Sequence, residues 1–167
     1  MLYGQIDEEM KKMLYACKGI FQIIACECIG AYFQKECCIK ESWNVCDRLE
    51  GKSDFIASIG CCNNEYQAIM TASINRKSIG AFADSEVTDA EIPDILGEFC
   101  NIFCGLLMDN EEIKGKFGVL LQALPLFAAH QSFFPKSPGI HGKVHIADEW
   151  MYIGYAIRKN AGMTDIV

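Results

Sequence analysis

The sequence predicts an α+β fold, a mostly antiparallel sheet with two long helices packed on one face. Three observations carry this. Apolar residues recur at three- and four-residue intervals in two long segments. Shorter β-rich runs come in pairs separated by turn residues, which marks hairpins and not parallel crossovers. At 167 residues the chain is long enough for one domain with a sizeable core and too short for two ordinary ones, so residues 1–167 are read as a single domain.

In the first segment Ile6, Met10, Met13, Leu14, Cys17, Phe21, Ile24 and Cys28 line one face of a long helix running to about Ile29, with Gly30 as its stop. The stretch from Glu36 to Gly51 has no clean period; Cys38, Trp43 and Val45 fit an irregular strand before a turn at Glu50, Gly51 and Lys52. Phe55 to Cys62 and Tyr66 to Ser73 flank Asn63, Asn64 and Glu65, a hairpin whose turn would use positive φ at Asn. Asn75 to Ala83 reads as a short helical connection.

Thr88, Asp89, Glu91 and Pro93 supply the capping, acidic and proline signals of a second long helix reaching about Met108, with Asp109, Asn110 and Gly115 ending it. Phe117 to Leu124 then reads as a strand closed by Pro125. Beyond a loop with Pro135, Pro138 and Gly139, Lys143 to Ala147 and Met151 to Arg158 form a final hairpin across Asp148 and Glu149, and the tail from Asn160 is expected to fray. No period of repetition suggests a solenoid or propeller.

Composition narrows the function. Hydrophobic residues at 51% and charged residues at 22% exclude a disordered or fibrous chain. The net charge of −7 argues against a nucleic-acid partner, which clustered Lys and Arg would hold. Apolar runs such as Phe117 to His130 are interrupted by Gln122 and Pro125, so no membrane span is expected. Asp7, Glu8 and Glu9 stand where a secretory leader would be basic, and a cytoplasmic location is expected. The ten cysteines, at 17, 26, 28, 37, 38, 46, 61, 62, 100 and 104, include no C-x-x-C pair. They are read as reduced thiols packed as small hydrophobes, without a metal.

Chemistry concentrates on the second long helix. Ile92, Ile95, Leu96, Phe99, Ile102, Phe103 and Leu106 form the stripe expected to face the sheet. Asp94, Glu98, Asn101 and Gly105 fall on the opposite side as a polar ridge. Asn and Gly are poor helix formers, so their presence on an exposed surface is set against a propensity cost of up to about 1 kcal/mol for Gly. Cys100 and Cys104 flank this ridge at i and i+4, a spacing that two ligands of one metal could use, though two thiols alone make a weak site. His141 and His145, four apart on a strand, are read as a surface pair, and His130 as a half-buried residue. Ser137-Pro138-Gly139 lacks a nucleophile elbow, and no phosphate-binding glycine loop is present.

The pattern Asp94-x-x-x-Glu98-x-x-Asn101-x-x-x-Gly105, inside GEFCNIFCG and followed by Pro125 after a strand, resembles the CheC, CheX and FliY phosphatases of bacterial chemotaxis. The order of elements is similar over most of the chain. The CheX subtype fits best, because the first helix carries no second Glu-x-x-Asn between Ala16 and Gly30. The resemblance implies a CheC-like fold and hydrolysis of the aspartyl phosphate on a phosphorylated CheY-like response regulator. It assigns catalysis to Glu98 and Asn101, partner binding to Asp94 and Glu98, and structural roles to Gly105 and Pro125. It implies no cofactor of the protein's own, Mg²⁺ on the regulator, and a homodimer. Phe99 after Glu98, in place of an aliphatic residue, and the approximate distance of Pro125 from Asn101 depart from the pattern, and the cysteine content is not explained by it. Two other readings stand beside it: a binding module that docks a signalling partner without turnover, and a cysteine-based redox or metal sensor.

Overall fold

The structure is a computed structural model that describes residues 2–83 and 86–160, with side chains from residue 7 onward. Helices α1 (Leu2–Ala16) and α2 (Lys18–Phe33) occupy the first amphipathic segment. They replace the single helix expected there: the chain bends by 55° between them, at Cys17. The thiol of Cys17 is fully buried at this elbow, and its N–H still reaches the carbonyls of Met13 and Leu14. Bending lets both halves lay their apolar sides on a twisted sheet, which one straight rod could not follow. The side chain of Ile6, expected on this face, lies outside the described residues.

Gly30 does not stop α2. The helix runs on to Phe33 and ends at Gln34, which is left-handed (φ 54°) and donates its N–H to the Gly30 carbonyl. No single helix among the described residues is long and apolar enough to cross a membrane; only the bent α1–α2 pair meets that criterion by length and composition. Phe21, Ile24, Ala25, Cys28, Ile29 and Phe33 of α2 are buried within the protein.

The strands are β1 (Asn44–Cys46), β2 (Lys52–Cys62), β3 (Tyr66–Ile74), β4 (Leu121–Gln122), β5 (Leu126–Gln131), β6 (Gly139–Ile146) and β7 (Glu149–Lys159). Every pairing is antiparallel, in the order β1-β6-β7-β3-β2, with β4 and β5 end to end along the outer edge of β2. The expected α+β class is therefore found, and both hairpins fall where the sequence placed them. The β2–β3 turn works differently from expectation. Neither Asn takes positive φ. Asn63 Oδ1 instead accepts from the N–H groups of Glu65 (2.8 Å) and Tyr66 (2.7 Å), closing the turn with its side chain. Asn160 does not fray: its Nδ2 donates to the Asn63 and Asn64 carbonyls.

Helices α3 (Arg76–Ala83), α4 (Ile92–Asp109) and α5 (Glu111–Phe117) complete the chain. Residues expected to form a strand from Phe117 instead contain the end of α5 and a two-residue strand. Asn110 ends α4, and its Oδ1 then caps α5 by accepting from Glu112 N (3.1 Å) and Ile113 N (3.2 Å). Gly115, expected as a terminator, lies inside α5, and the left-handed Gly118 (φ 71°) ends that helix.

The main core lies between the sheet and the layer of α1, α2 and α4. Trp43 is fully buried in it and sits on Gly142, where a Cβ would come within 2.0 Å of the indole. Only glycine allows that contact. On the other face of the sheet, Leu49 and Phe134 from loops cover Ile56 and Ala156 in a smaller cluster. The buried aromatic pair Phe99 and Phe103 stacks at 5.8 Å between ring centres, anchoring α4 on the sheet. Burial of such side chains contributes about 1.5–3 kcal/mol each.

Candidate functional site

Helix α4 begins after Glu91, whose carboxylate accepts from Thr88 N and Oγ1, and Pro93 occupies its first turn. Its buried side is Ile92, Leu96, Phe99, Cys100, Phe103, Cys104 and Leu107. The expected stripe is thus rotated: Ile102 and Leu106 are 41% and 45% exposed, and Ile95 is half-buried. Cys100 and Cys104 take the core positions and do not flank the polar ridge. Their small side chains allow the helix to lie close against β2 and β3, where bulkier Ile and Leu are pushed to the rim.

The outward face carries Asp94, Glu98 and Asn101 in successive turns, with Gly105 one turn further. Asp94 and Glu98 are exposed and have no ion-pair partner among the described residues. Asn101 is half-buried, and its Oδ1 accepts a hydrogen bond from Gln122 Nε2 at 3.0 Å. Gln122 belongs to β4, whose pairing with Cys61 and Cys62 of β2 holds it beside the helix. Beneath Glu98, Tyr32 of α2 donates its hydroxyl to the Ile95 carbonyl at 3.1 Å. Burial raises the Tyr32 pKa, and the Glu98 charge adds to that rise.

Pro125 packs over Gly97: a Cβ at Gly97 would meet the proline ring at 3.6 Å. The two residues lie immediately beside Glu98 and shape the rim of the ridge. Gly105 has open space around it, so no contact among the described residues requires a glycine there. The structure thus brings together Asp94, Glu98, Asn101 and Pro125, with Gly105 on the same face. Around them Ile102, Leu106, Leu121, Leu124 and Leu126 are exposed, giving the polar ridge an apolar border.

The sequence assigns neither Gln122 nor Gly97 a place in the site. Gln122 lies in a segment read as an ordinary strand, and its only signal was its place three residues before Pro125. Among the described residues no group of three or more His, Cys, Asp or Glu side chains is arranged to hold a metal ion. The expected surface pair of histidines is corrected: both lie on β6, where His141 is half-buried opposite Asn44 of β1 and His145, bridged by Cys38 of the segment leading into β1, is only 7% exposed. Burial lowers both imidazole pKa values.

Comparison with protein-family models and with curated protein sequences finds no match. Solved structures do match. A CheC-like superfamily protein from Shewanella superposes with a TM-score of 0.66 at 14% identity, covering 83% of this chain and 94% of that one. The CheX–CheY–BeF3–Mg complex from Borrelia burgdorferi matches with a TM-score of 0.61 at 13% identity, covering 83% and 95%. The FliM middle domain from Helicobacter pylori matches with a TM-score of 0.56 at 12% identity, covering 87% and 91%. Identities this low speak to architecture, and on that ground the chain has the CheC-like fold.

Proposed function

We propose that the protein is a CheX-type phosphatase that hydrolyses the aspartyl phosphate of a CheY-like response regulator. The carrying observation is the display of Glu98 and Asn101 one turn apart on the outward face of α4, with the Asn101 amide held by Gln122. The fold it shares with the CheX of a CheX–CheY complex supports the choice of partner. Because a FliM middle domain has the same architecture, the catalytic reading rests on these side chains and not on the fold.

The chemistry asks little of such a surface. An acyl phosphate is already labile, and the regulator holds the Mg²⁺ that offsets charge on the phosphoryl oxygens. What remains is to place a water in line with phosphorus. Asn101 suits that task because a neutral amide does not repel the phosphoryl group, and it can both accept from and donate to one water. Gln122 occupies one lone pair of Oδ1, leaving the second lone pair and both Nδ2 hydrogens for the water and its surroundings. Glu98 would pair with a regulator lysine beside the phosphate and set the register of the helix, with Asp94 extending the acidic contact. Pro125 and the exposed leucines form the border that excludes bulk water once docked. The same reading includes a homodimer in the cytoplasm.

The test is the rate of phosphate release from phosphorylated regulators with and without the protein. Acceleration that disappears in Asn101→Ala supports the phosphatase. Tight binding of phosphorylated regulator with no acceleration supports a docking module.

A further inference from the structure

Cys61 on β2 and Cys104 on α4 face each other inside the core, 3% and 0% exposed, with their sulfur atoms 2.9 Å apart. A disulfide needs about 2.05 Å between sulfurs, so closure asks for a movement of under roughly 1 Å. Both residues sit in regular elements held by the main core, which keeps the two thiols opposed. Their position is also specific. Cys61 is the cross-strand partner of Gln122, and Cys104 lies one turn after Asn101. The thiol pair and the Asn101–Gln122 hydrogen bond therefore join the same two places on α4 and the sheet edge, one below the other.

We propose that Cys61 and Cys104 form a reversible disulfide on exposure to hydroperoxide, an oxidation site directly beneath the Asn101–Gln122 pair. Access comes from the sheet edge. Strand β4, which pairs with Cys61, is only two residues long and forms the edge of the sheet there, so local opening of that edge is the route by which peroxide reaches the thiol. Either thiol can donate in the hydrogen bond between them; Cys61, whose strand borders β4, is the one that opening of the edge reaches first, which makes it the attacking sulfur.

The Cys61 thiolate attacks one peroxide oxygen, forming S–O as O–O breaks, and the departing hydroxide takes up a proton to become water. Cys61 is then a sulfenic acid. The Cys104 sulfur attacks the Cys61 sulfur, S–S forms as S–O breaks, and the hydroxide leaves as water with the Cys104 proton. Two thiols and one hydrogen peroxide give one disulfide and two waters. Formation of the bond is independent of the function proposed above.

The experiment treats the native Cys62→Ser protein with hydrogen peroxide, blocks free thiols with iodoacetamide, and maps the digested protein by mass spectrometry. A reductant-sensitive peptide linking Cys61 to Cys104 is expected, together with shifted side-chain amide resonances of Asn101 and Gln122. In an added Cys104→Ser change the link is lost and dimedone traps Cys61 as the sulfenic acid. If Cys104→Ser does not fold, Cys61→Ser serves in its place, with loss of the link and unshifted amides expected. Recovery of both residues as free thiols after unfolding, or linkage of Cys61 to a different cysteine, overturns the proposal. A protein that oxidises as stated yet, in its reduced form, accelerates no phosphate release removes the phosphatase reading and leaves the oxidation site in place.

Discussion

Gln122 reaches across from a two-residue strand to donate its Nε2–H to Asn101 Oδ1 at 3.0 Å, fixing which way the amide of Asn101 points. A free asparagine on a helix surface rotates its amide among several orientations, and a water bound to it would share that freedom. Ordering the amide before the substrate arrives removes that part of the entropic barrier.

Asn101→Ala is expected to abolish acceleration of phosphate release while regulator affinity changes by less than about threefold, since a half-buried amide is a small part of an interface. Quenched-flow phosphate release and calorimetry measure the two quantities. A variant retaining more than half the wild-type rate contradicts the role given to Asn101.

Gln122→Ala leaves Asn101 in place and removes its hydrogen bond. Such a bond is worth about 0.5–1.5 kcal/mol, so kcat should drop by about two- to tenfold with little change in the regulator concentration giving half-maximal rate. An unchanged kcat would show that the amide needs no positioning.

Glu98→Lys should weaken docking without altering the rate at saturation. Raising salt from about 50 to about 500 mM should act on the wild type in the same sense, because the Debye length shrinks severalfold while a closed interface shields Asn101. If saturating rates collapse with salt and affinity does not move, the division between Glu98 for docking and Asn101 for water is wrong.

Two substitutions away from the site probe the fold. Gly142→Ala drives a methyl into Trp43 and should destabilise the protein by about 1–3 kcal/mol or more in urea unfolding. Asn110→Ala removes the cap of α5 and should cost about 1 kcal/mol. A neutral result at Gly142 would mean that the indole can move aside.

Glu149 accepts from Ser78 Oγ at 2.6 Å and pairs with Lys77, and these contacts, the Ser78 hydrogen bond first, hold its carboxyl below the usual range. A depressed carboxylate contributes stability above its unfolded pKa and loses it as pH falls through the folded value. Ser78→Ala should therefore be less stable than wild type at pH 7, with the difference closing as pH is lowered through the carboxylate range. Parallel denaturation curves at several pH values decide it; a gap that stays constant with pH assigns the loss to packing alone.

Period and turn chemistry made the β2–β3 and β6–β7 hairpins and the span of α4 readable from sequence, since each has long apolar runs between clear stops. The elbow at Cys17 was not, because the apolar spacing continues unbroken through it and only the curvature of the sheet calls for a bend. Helix α5 and strand β5 also escaped. Asn110 serves as the end of one helix and the cap of the next, and β5, an edge strand, is mostly exposed and has no alternation to read. At the site, Glu98 and Asn101 were found through resemblance and their helical spacing. Cys100 and Cys104 pack as small hydrophobes as expected, but their place on the sheet-facing stripe of α4 was hidden because hydrophobicity ranks Ile102 and Leu106 above them, whereas closeness of α4 to the sheet selects for small side chains. Gln122 depends on a pairing between β2 and β4 across some sixty residues, which no local pattern encodes.

The sheet ends on one side in a three-residue strand, and on the other in β4 and β5, separated by a stretch that includes Pro125. Long, flat, unpaired strand edges invite other chains to add to them, and growth of that kind leads to aggregates. Here one border is too short and the other interrupted by a residue with no N–H to donate. The proline that shapes the rim of the ridge thereby also guards a protein rich in apolar residues against self-templated polymerisation.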